Sequence, residues 1–243
     1  MKIERGTIKD IPFESRELGE TLNLWVYLPA RFSPLYQYAV CICQDGKDFF
    51  QLGRIARAAD ELLAKGEIEN LIIVGIPYAD IPDRRRKYHP DGEQHGAYIR
   101  FLAHELVPFL DREFPTAQMA SDRALAGDSL AATVSLMAAF KYPHTFGKAA
   151  LMSPLVNEKV MEAAKQCTDP KLMDIYHIAG KEETEVKTTD GKIQNFITPN
   201  RTLHQILEEK GVPGFYDEFD GGHSWKYWQK DLPRALRYLF KKD

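Results

Sequence analysis

Three features of the chain predict an α/β fold, a three-layer αβα sandwich built on a mainly parallel sheet. Short, almost wholly apolar runs alternate with segments of helical periodicity, as buried parallel strands and their crossover helices must. The runs stop at Gly or Pro. Polar residues follow the stops, at the C-terminal strand ends where such sheets collect functional groups. With 243 residues, 44% of them hydrophobic, the chain can fill a substantial core, and 1–243 is read as a single domain.

The elements follow in order. Residues 2–28 read as two antiparallel strands, the second alternating at its start and stopped by Pro29. Residues 38–43 form a buried strand that runs into the polar turn 44–48. A helix over 54–65 ends at Gly66, and a strand over 70–76 ends at Pro77. Residues 78–93 are rich in charge, Pro and Gly and read as a loop. Its basic run Arg84, Arg85, Arg86 and Lys87 suits a solvated face or, alternatively, a receiver for an anionic substrate. An amphipathic helix over 95–114 is expected to break near Pro108. The apolar run at Ala124, Leu125 and Ala126 ends at Gly127 before a helix over roughly 129–141. Strands at 147–153, 173–179 and 215–219, with helices near 157–166, 199–210 and 225–240, complete the alternation, and 184–198 reads as a polar loop.

Composition excludes several classes of function. The net charge is −3 with no large block of one sign, so neither a nucleic-acid footprint nor a polybasic membrane patch is present. No apolar run approaches the roughly 20 residues of a membrane helix, and the charged first residues suggest no signal peptide. Cys41, Cys43 and Cys167 lack metal-binding spacing and read as buried free thiols. A cytoplasmic protein is expected, without metal or organic cofactor.

The strand–turn–helix around Gly127-Asp128-Ser129-Leu130-Ala131 has the layout of a nucleophile elbow, with Ala in place of the usual last Gly. A second G-x-S at Gly222-His223-Ser224 shows that the tripeptide alone decides little. Chain order adds more. Ser129, then Glu182 or Glu183, then His223 each follow an apolar run, and a serine nucleophile needs a base and a carboxylate to orient it. Of seven histidines, His223 has the best setting: two glycines before it and a helix after it. Asp128 would place a negative charge beside the reacting centre and disfavour anionic substrates.

The segment Gly221-Gly-His-Ser-Trp-Lys-Tyr-Trp228, with the elbow and Asp45-Gly46, resembles the esterase branch of the α/β-hydrolases. That branch includes enterochelin-esterase-like proteins, esterase-D relatives and mycolyltransferases. The resemblance implies a serine carboxylic-ester hydrolase with no separate lid domain, acting on a small-molecule ester. It implies Ser129 as nucleophile, His223 as base, and Glu183 as acid with Glu182 as the alternative. The backbone N–H groups of Leu130 and Lys47 would form the oxyanion hole, with Asp45 bracing the turn before Lys47. An acyltransferase using the same site, or a catalytically idle binding protein on the same fold, are the other functions this pattern admits.

Overall fold

A computed structural model describes residues 3–242; Met1, Lys2 and Asp243, the extremes of the expected domain and of its first strand, lie outside them. The chain opens with an antiparallel pair, β1 (Thr7–Ser15) and β2 (Glu20–Leu28). Strand β3 (Ala39–Gln44) leads through a tight turn into α1 (Gly46–Gln51) and α2 (Ile55–Lys65). Strand β4 (Leu71–Ile76) is followed by α3 (Ile81–Tyr88), then α4 (His95–Arg100) and α5 (Val107–Glu113) joined through Phe101–Leu106. Next come β5 (Arg123–Asp128), α6 (Leu130–Lys141), β6 (Lys148–Met152), α7 (Glu158–Lys165) and β7 (Asp174–Gly180). A small hairpin, β8 (Val186–Lys187) and β9 (Ile193–Gln194), precedes α8 (Ile197–Glu209), β10 (Gly214–Phe219) and α9 (Trp225–Leu239).

Eight strands form one sheet in the order β1-β2-β4-β3-β5-β6-β7-β10. From β4 to β10 every pairing is parallel, and β2 joins β4 antiparallel. Alternate side chains leave each strand on opposite faces, which gives two cores. Val40, Ile42, Leu125, Leu151 and Ile175 pack under the face covered by α4, α5, α6, α7 and α8. Cys41, Cys43, Ala124, Ala126, Met152 and Tyr176 pack under α2 and α9. Cys41 and Cys43 share a face as expected, with sulfurs 3.9 Å apart, and all three cysteines are free and buried. Both faces of the inner strands are covered, so their sequences are apolar throughout rather than alternating.

Two expectations are corrected. The segment 78–93 contains a helix, α3, whose N-cap Asp80 accepts from the Asp83 amide at 2.8 Å and whose first turn holds Pro82. Several of its charged residues turn inward, so no apolar stripe marks it in the sequence: Asp83, Arg84 and Lys87 are buried, and Lys87 pairs with both Asp83 and Glu20. The helix over 95–113 does not break at Pro108. Residues Phe101–Leu106 widen into a π-helical turn, and the Val107 amide reaches back to the Leu102 carbonyl. The widened turn accommodates a proline that removes an N–H and would crowd a regular α-turn.

Candidate active site

Strand β5 delivers Ser129 in a backbone conformation that L-residues seldom adopt, φ 52° and ψ −123°. Such a residue costs on the order of 1–3 kcal/mol and is held by its surroundings. Here the Ser129 amide donates to the Met152 carbonyl at 2.8 Å. Its own carbonyl accepts from the Thr133 amide at 3.2 Å and the Leu155 amide at 3.3 Å. Strand and helix pass so closely that a Cβ on Gly127 would lie 2.2 Å from the Ala131 carbonyl carbon. The glycine is therefore required at 127, while 131 accommodates a methyl group in full burial. Ser224, in the other G-x-S, is an exposed N-cap of α9 with an ordinary extended φ of −160°. The two tripeptides thus have different backbones.

Glu183 and His223 meet. His223 Nδ1 lies 3.0 Å from Glu183 Oε2. The other carboxylate oxygen, Oε1, accepts from Ser153 Oγ at 2.6 Å and from the Gly180 amide at 3.0 Å. Glu183 is fully buried, whereas Glu182 is exposed. An ionised carboxylate only accepts, so Nδ1 carries the proton of the pair and Nε2 is left as the basic nitrogen. The imidazole is held between the Phe196 ring, with centroids 4.3 Å apart, and the edge of Trp228 at 4.8 Å. The Trp228 indole N–H in turn donates to Ser153 Oγ at 3.2 Å. No hydrogen bond joins Ser129 Oγ to His223 among the described residues. Such contacts are commonly long in ligand-free sites and tighten around substrate.

Ser129, Ser153 and Glu183 follow the ends of the adjacent strands β5, β6 and β7, and His223 follows β10 beside them. Leu130 and Lys47 occupy the first and second positions of α6 and α1. The opening N–H groups of a helix have no intrahelical acceptor, so both can serve an external oxygen. The Lys47 side chain is exposed. Gly46 approaches β4 so tightly that a Cβ would lie 2.4 Å from the Gly75 carbonyl carbon. Among the described residues no cluster of three or more His, Cys, Asp or Glu side chains is placed to hold a metal ion.

The charges around the elbow differ from expectation. Arg84 is turned into the protein, where it pairs with Asp45. Arg85 pairs with Asp190 at 3.1 Å and Arg86 with Asp83 at 2.9 Å. The basic run is therefore neither a uniformly solvated face nor a set of unpaired cations awaiting an anionic substrate. Asp128 is buried, and its Oδ1 has no partner among the described residues. Burial first, and then the Asp45 charge, push its carboxyl well above the ordinary range. Burial also raises Asp45 despite the guanidinium beside it. The Arg84 guanidinium, paired with Asp45, opposes the rise at both carboxyls. Desolvation thus works against the negative charge expected beside the nucleophile.

Sequence reasoning missed Ser153, Arg84 and Phe196. Ser153 stood at a strand end and before a proline, the one signal that could have singled it out. Arg84 was hidden inside a charge run.

A mainly parallel eight-stranded sheet with helices on both faces, and a strained serine between an inner strand and its helix, defines the chain as an α/β-hydrolase fold. A family model described as "Putative esterase" matches residues 15–239, and the chain belongs to that esterase family. It is 52% identical over 239 residues to Uncharacterized protein YjcH of Bacillus subtilis (strain 168), covering 98% of this chain and 100% of that protein. Among solved structures it is similar to a ferulic acid esterase, with a TM-score of 0.79 at 17% identity over 97% of this chain and 98% of the other. It is also similar to the enterochelin esterase of Shigella flexneri, with a TM-score of 0.81 at 18% identity over 96% of this chain and 57% of that one. At these identities the structural likeness is one of fold.

Proposed function

We propose that the protein is a serine carboxylic-ester hydrolase, a single domain that acts on a small-molecule ester through an acyl-enzyme, without metal or organic cofactor. The observation that carries this reading is the buried Glu183 carboxylate on His223 Nδ1 at 3.0 Å, at the same end of the sheet as Ser129, a serine held at positive φ after β5. Ser129 Oγ attacks the ester carbonyl while His223 Nε2 takes its proton, and the resulting alkoxide oxygen is received by the Leu130 and Lys47 amides. Collapse breaks the ester C–O bond as the imidazolium protonates the departing alcohol. Water then repeats the sequence on the acyl-serine and releases the carboxylic acid. Glu183 holds the tautomer and stabilises the imidazolium throughout. Each oxyanion donor contributes about 3–4 kcal/mol to the transition state.

The test is hydrolysis of short p-nitrophenyl esters by the wild type and Ser129→Ala. We expect the variant to lose more than about a thousandfold in kcat/KM while melting at the wild-type temperature. Turnover that survives in a folded Ser129→Ala contradicts the assignment.

A further inference from the structure

Helix α3 sends one arginine beneath the elbow, and that side chain reaches both loops that carry the oxyanion donors. Resting on the serine-esterase reading above, we propose that Arg84 is the positioning residue of the oxyanion hole, a tie that fixes the Lys47 amide relative to the Leu130 amide.

On one side Arg84 grips Asp45. Its Nε lies 2.9 and 2.8 Å from the two carboxylate oxygens, and its Nη2 lies 2.5 Å from Oδ2. Asp45 needs that hold, because it sits in the left-handed region at φ 55° and ψ 43°, directly before α1. The turn aims the start of α1: the Asp45 carbonyl accepts from the Asp48 amide at 2.9 Å and the Phe49 amide at 3.2 Å. Lys47 lies between Asp45 and those donors. On the other side, Arg84 Nη2 donates to the Asp128 carbonyl at 3.4 Å. That carbonyl belongs to the peptide leading into Ser129, one peptide before the Leu130 amide. One planar guanidinium therefore spans the ends of β3 and β5.

The surroundings leave the guanidinium little freedom. Arg84 is 8% exposed and Asp45 1%. The Tyr78 and Tyr88 ring centroids each lie 5.8 Å from the guanidinium carbon, and the Asp45 amide donates to the Tyr88 hydroxyl at 3.4 Å. A buried ion pair adds little net stability once desolvation is counted. Its value here is geometric, since a fork with fixed donor directions sets an angle that a flexible ammonium cannot. Arg84 acts through these backbones and does not touch the reacting atoms.

The experiment compares full-length wild type, Arg84→Met and Arg84→Lys on p-nitrophenyl esters, with thermal melting as the check on folding. For Arg84→Met we expect kcat to fall about a hundredfold, the scale of one misplaced oxyanion donor. KM should stay within about threefold and the pH of half-maximal rate unchanged, because binding and the His223–Glu183 pair are untouched. Arg84→Lys should recover part of kcat. Affinity for a trifluoromethyl ketone, which adds to the serine as an oxyanion, should fall in step with kcat/KM. A folded Arg84→Met with kcat within about threefold of wild type, or a loss confined to KM, overturns the proposal. So does failure of both variants to fold, since the pair would then be holding the domain and not the hole. Ser129→Ala measured in parallel keeps the two readings apart. Turnover persisting there removes the esterase assignment, whereas Ser129-dependent turnover indifferent to Arg84 removes only the positioning role.

Discussion

At Glu183 three donors converge on one carboxylate: a serine hydroxyl, a strand-end amide and an imidazole. That convergence satisfies the carboxylate in full burial, where a group stripped of water must be compensated atom by atom. Ser153 reaches it only because its own backbone turns to φ 49° after β6. Replacing the acid by its amide keeps the shape but puts an N–H₂ or a weaker acceptor against Nδ1. We therefore expect Glu183→Gln to lose at least about a hundredfold in kcat at unchanged fold, and Glu182→Gln to stay within about twofold of wild type. Steady-state kinetics on both variants checks this, and the reverse order would reassign the acid. In the sequence the two glutamates are neighbours and indistinguishable by type. Burial separates them, and burial depends on how the loop after β7 folds. Ser129 and His223 could be proposed from the sequence by their chain order and the strand ends they follow, although G-x-S alone, which occurs twice, decides little. Ser153 could not, since its role exists only through Glu183 and Trp228.

Among the elements, β7 and α8 meet through a buried polar contact. His177 Nε2 lies 2.7 Å from the Asn200 side-chain oxygen, and the Asn200 amide nitrogen donates to the carbonyls of Pro154 and Phe196 at 2.9 and 2.8 Å. Those two acceptors fix the orientation of the amide, so His177 Nε2 must carry the hydrogen. Burial holds His177 neutral and lowers its pKa from 6.5 to about 4. The sign follows: the folded chain binds this proton less readily than the unfolded chain does. The contribution is complete above the unfolded value and is lost as pH falls through the window down to the folded one. Between pH 6.5 and about 4 it is worth roughly 3 kcal/mol at most. Thermal melts across that window should show a falling Tm in the wild type and a shallower fall in His177→Gln, while parallel curves would contradict the assignment. Element types were mostly readable from periodicity; α1, the β8–β9 hairpin and α3 were exceptions, and α3 is the most informative. A helix that buries an arginine and a lysine against carboxylates carries no apolar stripe. Its signal was the Asp80 cap followed by Pro82, a local cue easily outweighed by four consecutive basic residues.

At the scale of the whole molecule, alternating apolar runs foretold a layered, mainly parallel sheet. Strand order was beyond them. The register that sets β5 between β3 and β6 is a set of pairings between distant segments, and nothing local encodes it. Yet the proposed site depends on that order, because it lines up the ends of β5, β6 and β7, where a serine, the hydroxyl that donates to the carboxylate, and the carboxylate follow in succession. The strain at Ser129 is borne by a sheet buried on both faces.

The proposed reading requires the turn at Ser129 to present an activated nucleophile. Intact-mass analysis after treatment with a fluorophosphonate tests it most directly, on the wild type, Ser129→Ala and His223→Ala. We expect a single adduct that maps to Ser129, is absent from Ser129→Ala, and forms more than about a hundredfold more slowly in His223→Ala. A folded wild-type protein that takes up no probe, or takes it up at another residue, would contradict it.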